Sequence, residues 1–254
     1  MIKKISFVAS QTAEAQEALV DLSLRYGNHE PAEAEVIVVL GGDGTMLEVL
    51  HEHIGSGKPI YGMNRGSVGF LMNEYTPEEL EQRIAVAHAE QIRPLSMTTE
   101  SDQNGTVTAL AINEVSLLRQ SHQGAKIRIS VDGLVRLEEL ICDGVMVATP
   151  AGSTAYNLSA QGPILPIDAP LLALTPVSPF RPRRWRGALL PNNVTVRFDI
   201  LESEKRPVNA FADNIEVKSV RSVIIREAPE ATATVLFDEN HSWDERILTE
   251  QFRY

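Results

Sequence analysis

Residues 36–40 are five consecutive apolar side chains, Val36 to Leu40, running from an acidic stretch into a glycine pair. An unbroken run of that length, rich in β-branched residues, predicts a strand buried on both faces of a parallel sheet. Upstream, residues 5–9 predict a first strand. Ala15, Ala18, Leu19, Leu22 and Leu24 then recur at helical spacing, with Gly27-Asn28 as the stop. Downstream, Leu47, Val49 and Leu50 carry a second helix to about residue 54, capped by Thr45. Gly55-Ser56-Gly57 breaks it, and residues 59–63 predict a third strand. This β-α-β-α-β order implies a parallel, Rossmann-like sheet whose turns after the second and third strands lie along one edge. Thr76-Pro77-Glu78-Glu79 opens a further helix predicted to reach about residue 89.

Around Arg93-Pro94 the helical spacing gives way to short alternating runs. Residues 106–118 read as extended. Residues 126–137 form two alternating runs joined by Asp132-Gly133, a hairpin signal. Alternation returns at residues 194–200, 222–225 and 232–237. Near the end of the chain Trp243, Ile247, Leu248 and Phe252 share one helical face. The fold expected is an α/β domain over residues 1–93 and an all-β domain over residues 94–238. A C-terminal helix over residues 239–254 is expected to return to the first domain.

Composition narrows the classes of function. A chain of 254 residues, 43% hydrophobic and 22% charged, has the make-up of a globular protein with a full core. No apolar run is long enough to span a membrane, and residues 1–6 lead into a strand pattern rather than a signal peptide. A cytoplasmic location is therefore expected. A formal net charge of -11 argues against non-specific nucleic-acid binding, so an anionic ligand needs a local positive site. Arg181, Arg183, Arg184 and Arg186 are the densest such group, with a solvated loop or a subunit contact as the plainer alternative. Cys142 is the only cysteine, which excludes an internal disulfide and a zinc cluster and leaves a buried apolar thiol.

Three stretches carry chemistry. The first is Gly41-Gly42-Asp43-Gly44-Thr45, where the long strand stops. Glycines there let a ligand approach the backbone, and a helix N-terminus suits phosphate oxygens. A carboxylate beside phosphate is repelled unless a metal intervenes or it accepts a proton from an attacking hydroxyl; the alternative is that Asp43 bonds turn amides. No Walker loop and no Gly-x-Gly-x-x-Gly fingerprint is present. A second glycine-rich turn, residues 64–71, follows the third strand, and its Phe70 could stack on a base or fill the core. The second stretch is Asn113-Glu114, two polar residues interrupting an apolar strand, which either face a ribose or base edge or mark a bulge or strand end. The third is residues 143–163, where a strand ends at Thr149-Pro150. Small and hydroxyl-bearing residues follow, with a helix start at Ser153 or Thr154 and the aromatic Tyr156.

These three stretches, in this order and spacing, resemble the NAD kinase family, also called ATP-NAD kinases, over nearly the whole chain. The Gly-Gly-Asp-Gly-Thr turn alone is shared with diacylglycerol and sphingosine kinases. The Thr149-Pro150-Ala151-Gly152-Ser153-Thr154-Ala155-Tyr156 block is far more specific. The resemblance implies ATP-dependent phosphorylation of the 2′-hydroxyl of the adenosine ribose of NAD, giving NADP. It implies Asp43 as catalytic base and Gly44 beside it at the dinucleotide, with Asn113 and Glu114 holding the acceptor nucleotide. Asp143, Ala151, Thr154, Ala155, Tyr156 and Ser159 would contact NAD, partly across the subunit interface of a homodimer or homotetramer. Asn214 stands where many members have the glutamine of a late Asp-Gly-Gln. Magnesium or another divalent cation is expected to arrive with ATP, and neither nucleic acid nor membrane is an expected partner. The chain departs from the family at Ile141-Cys142, where a basic residue commonly precedes Asp143, and Lys126 is a candidate to supply that charge. The alternatives are a lipid kinase and a non-catalytic NAD or NADP sensor; a dehydrogenase would need the absent fingerprint.

Overall fold

The computed structural model describes residues 4–66, 69–102, 105–239 and 252. The chain divides into two units, one made of Met1–Ile92 with Glu230–Tyr254, the other of Arg93–Pro229. The first unit opens with β1 (Ile5–Ala9), α1 (Ala13–Tyr26), β2 (Val36–Gly41), α2 (Asp43–His53), β3 (Pro59–Asn64), α3 (Leu80–Val86) and β4 (His88–Ile92). Every residue of β2 is buried, as its apolar run demands, and Val38 lies in register between Phe7 of β1 and Tyr61 of β3 in a parallel sheet. Helix α1 buries Ala15, Ala18 and Leu22 and ends at Gly27, whose φ of +75° lets its N–H reach the Ser23 carbonyl. Leu24, which fits the same period, stays outside the core at 83% exposure.

The second unit follows with β5 (Leu95–Ser101), β6 (Gly105–Ala111), β7 (Glu114–Arg119), β8 (Ala125–Val131), β9 (Leu134–Cys142) and β10 (Gly144–Ala148). A 3-10 turn (Ala151–Thr154) and α4 (Tyr156–Ser159) lead to β11 (Leu171–Val177), β12 (Ala188–Pro191), β13 (Val196–Ile200), β14 (Val208–Ala212), β15 (Ile215–Val217) and β16 (Val220–Glu227). These strands make two six-stranded antiparallel sheets, ordered β12-β11-β10-β7-β14-β15 and β6-β5-β16-β13-β8-β9. One apolar core takes side chains from both: Val115, Leu117, Val145 and Val147 from the first, Ile127, Val196, Phe198 and Val223 from the second. The turn between β8 and β9 is Asp132-Gly133, both at positive φ, which matches the twist of the hairpin it joins.

Three expectations give way. The helix predicted to reach residue 89 stops at Val86, and His88–Ile92 is instead an edge strand with only Ile92 buried. Its backbone pairs antiparallel with β17 (Ala233–Phe237), so the hydrogen bonds of the sheet edge override local helical spacing. The strand predicted at residues 232–237 forms, but in the first unit, parallel to β3, where Val235 and Phe237 are buried. Alternation identifies a strand without naming the sheet it joins. Thr45 is not the cap of α2, which starts at Asp43 with Gly42 before it; the Thr45 side chain closes over Gly41 instead. The helix expected over residues 239–254 lies outside the described residues apart from Glu239 and Phe252. Among the described residues no helix is long and apolar enough to cross a membrane.

Candidate functional site

In the first unit, the end of β2 places Asp43 on the first turn of α2. Its Oδ2 accepts the Phe70 N–H at 2.7 Å and its Oδ1 the Leu71 N–H at 2.9 Å. The turn after β3 is thereby fastened to the turn after β2, and the Arg65 N–H reaches the Gly41 carbonyl at 2.7 Å to close the pair. Asp43 thus does bond turn amides, those of the second turn rather than its own. Among the described residues a Cβ placed on Gly42 or Gly44 would meet nothing within 4 Å, and Gly42 has an ordinary extended φ of -121°. Packing against the described residues therefore does not require glycine at either position, whereas close approach of a ligand to this backbone would.

In the second unit, Asn113 lies at the bend between β6 and β7, and Glu114 opens β7. The main-chain N–H groups of Ile112, Asn113 and Glu114 all donate to the carboxylate of Asp213, at 2.6, 3.0 and 3.1 Å. The carbonyls of the bend are held as well: the Thr149 N–H donates to Asn113 O at 2.9 Å and the Thr149 hydroxyl to Ile112 O at 2.7 Å. Thr149 Oγ1 also accepts the Gly152 N–H at 3.0 Å, and a Cβ on Gly152 would sit 2.1 Å from Asn113 O. Only glycine lets these two segments touch.

Glu114 is largely buried, and among the described residues its Oε2 has no hydrogen-bond partner. Burial first, and then the negative charge of Asp213, push its carboxyl from 4.5 up to about 8, so it is protonated at neutral pH. The Tyr156 phenol is pushed up by burial and then by the charges of Glu114 and Asp143, which puts all three in one electrostatic neighbourhood. Asp143 pairs with Arg119 Nε at 2.6 Å. The Asp143 charge is thus met from β7 across the sheet, and Lys126 does not meet it, being engaged by Glu139 and Glu202 at 2.9 and 2.8 Å.

The small-residue block folds as the 3-10 turn followed by the single turn of α4, and its interior is a hydrogen-bonded scaffold. The fully buried Ser153 donates to Pro150 O at 2.7 Å and accepts the Leu165 N–H at 3.0 Å, so its hydroxyl is committed within the fold. Asn157, equally buried, donates to Ser153 O and Pro163 O and accepts the Thr175 hydroxyl at 2.7 Å. On this scaffold Ala151 is buried, Thr154, Ala155 and Tyr156 are half-buried, and Ser159 is exposed. Asn214 is exposed on the turn between β14 and β15, next to Asp213. Arg183, Arg184 and Arg186 are exposed, while Trp185 between them packs on the core of the second unit. Sequence reasoning reads no role for Thr149 or Asn157 within their block, and it misses Arg119 and Asp213. Of the latter two, Asp213 alone leaves a signal, as an acidic turn residue between alternating runs.

Residues 3–91 match the family model described as the ATP-NAD kinase N-terminal domain, and residues 112–236 match that of the ATP-NAD kinase C-terminal domain. The chain belongs to the NAD kinase family. It is accordingly an enzyme, a kinase of that family. Over 250 residues it is 70% identical to the NAD kinase of Mesorhizobium japonicum and 69% identical to that of Brucella melitensis biotype 1, covering 98% of this chain and 97% of each relative. Among solved structures, yeast NADH kinase complexed with NADH superposes with a TM-score of 0.83 at 22% identity, covering 100% of this chain and 89% of that one. An NAD kinase from Archaeoglobus fulgidus in complex with ATP gives 0.79 at 24% identity, covering 98% and 100%. At those identities the structural likeness bears on the fold, and the family assignment stands on the matched domains and the near full-length relatives.

Proposed function

We propose that this chain transfers the γ-phosphoryl group of ATP to the 2′-hydroxyl of the adenosine ribose of NAD, giving NADP and ADP. The observation that carries the reading is the likeness, from end to end, to relatives named NAD kinase. In the reaction the 2′-oxygen forms a bond to the γ-phosphorus, the bond from that phosphorus to the β-phosphate oxygen breaks, and Asp43 accepts the hydroxyl proton. Asp43 is held for this by the Phe70 and Leu71 amides, and Gly42 and Gly44 leave its backbone open to the substrate. Most of the acceleration comes from positioning and charge neutralisation, the base contributing a smaller part.

The acceptor nucleotide is read by Asn113 and by the protonated Glu114, with Gly44, Asp143, Ala151, Thr154, Ala155, Tyr156, Ser159 and Asn214 as further contacts. The donor is the magnesium complex of ATP. The cation is read as arriving on the triphosphate, whose charge it neutralises. The family resemblance extends the reading to a cytoplasmic homodimer or homotetramer, which light scattering of the purified protein would size. The activity itself is tested by incubating the protein with ATP, magnesium and NAD and reading NADP with an NADP-specific dehydrogenase. NAD binding without NADP formation would indicate a sensor instead, and phosphorylation of diacylglycerol in place of NAD a lipid kinase.

A further inference from the structure

The bend at Asn113 and Glu114 carries the chain from β6 in one sheet to β7 in the other, and the three successive amides of Ile112, Asn113 and Glu114 donate to a side chain rather than to a strand. A buried amide without an acceptor costs about 1–3 kcal/mol, and three in a row would not hold one orientation. Asp213 solves this from a position a hundred residues away in sequence. One carboxylate accepts all three N–H groups at 2.6–3.1 Å, and the Asp213 N–H returns a bond to Glu114 O at 3.2 Å. Asp213 does so from a left-handed conformation, φ +50°, which side-chain-bearing residues rarely adopt.

We infer that Asp213 is a positioning residue for the acceptor nucleotide: its carboxylate, presented by the turn between β14 and β15, fixes the bend at Asn113 and Glu114 in the orientation that NAD meets. The inference rests on the reading of Asn113 and Glu114 as acceptor-binding residues. Asp213 acts on the site without touching the substrate, by two routes. Geometrically, it sets where the Asn113 and Glu114 side chains emerge. Electrostatically, its charge adds to burial in keeping Glu114 protonated, so that Glu114 can donate a hydrogen bond through a carboxyl whose Oε2 has no partner among the described residues. Among the described residues the groups acting on Glu114 are Asp213 and the Tyr156 phenol of α4, with Asp143 beyond the phenol and itself paired with Arg119, and none of them is a cation.

The test compares wild type, D213N and D213E as full-length chains. In each the Michaelis constants for NAD and ATP, kcat, the NAD dissociation constant and the pH dependence of kcat/KM for NAD are measured. D213N keeps one acceptor oxygen but turns an NH2 group toward amide donors. Its KM and Kd for NAD should rise roughly 10- to 100-fold, the scale of a small misplacement in a site, while KM for ATP stays within about twofold. Wild-type kcat/KM for NAD should fall as pH rises through about 8, and in D213N that fall should begin at lower pH because the neighbouring charge is gone. D213E keeps the charge, so the fall should stay in place while the longer side chain, unable to meet all three amides, raises KM for NAD. A merely structural Asp213 would lower the melting temperature without separating NAD from ATP and without moving the pH profile, and that result would overturn the inference. Should D213N not fold, D213E with a wild-type KM for NAD overturns it as well. A wild type that forms no NADP strikes at the proposed function instead, and the NAD dissociation constants of the variants still decide the role of Asp213.

Discussion

Replacing Glu114 by Gln probes the burial of this carboxyl through stability alone, with no substrate present. In the unfolded chain Glu114 titrates near 4.5; in the folded chain it is pushed up to about 8. Between those values the folded chain holds a proton that the unfolded chain has released. Stability therefore falls as pH rises through that window and is level on either side of it. Each pH unit within the window is worth about 1.4 kcal/mol, so crossing it removes on the order of 5 kcal/mol. Gln has nearly the same shape and does not titrate. E114Q should match wild type near pH 4.5 and gain on it steadily up to about pH 8, ending more stable by a few kcal/mol, or roughly 10 °C in melting temperature for a chain of this size. The assay is thermal unfolding of both proteins by circular dichroism across that range. A difference between the two that stays constant with pH would refute the buried, protonated Glu114 on which the acceptor reading leans.

Other consequences are equally direct. Gly152→Ala puts a methyl group onto Asn113 O, which the backbone can relieve only by moving the bend. It should cost about 1–3 kcal/mol in denaturant unfolding and weaken NAD binding measured by calorimetry more than ATP binding. Burial pushes the Cys142 thiol up to about 12, so a disulfide exchange reagent at about pH 8 should leave the native protein unlabelled and react on unfolding. Lys126→Met removes the shared partner of Glu139 and Glu202 on a part-exposed surface, and should change stability by under about 1 kcal/mol and leave the NAD Michaelis constant alone. A change in that constant would restore Lys126 to the site.

The parts of the fold that can be read from sequence are those whose cause is local. Val36 to Leu40 can be little else than a strand buried on both faces, and Asp132-Gly133 between alternating runs fixes its hairpin. Ala233–Phe237 is legible as a strand but not as a member of the first sheet, because pairing with β3 lies across the whole second unit in sequence. His88–Ile92 reads as the end of a helix because an exposed edge strand carries almost no apolar period of its own. The same division holds at the site. The glycines around Asp43 and the small residues from Ala151 to Ser159 announce themselves within a few positions. The carboxylate of Asp213 under the Asn113 bend and the guanidinium of Arg119 beside Asp143 are brought there by strand pairing, between β7 and β14 and between β7 and β10; no local pattern marks Arg119, and Asp213 shows only as an acidic turn residue with nothing to say what it holds.

Asp43 carries the central claim, and Asp43→Asn tests it most directly, since the amide keeps an oxygen for one of the Phe70 and Leu71 amides but cannot take the hydroxyl proton. With saturating ATP, magnesium and NAD, wild type should form NADP and the variant should do so at least about 100-fold more slowly, with NAD and ATP still bound. A D43N protein that forms NADP at the wild-type rate would contradict the assignment of Asp43 as the base.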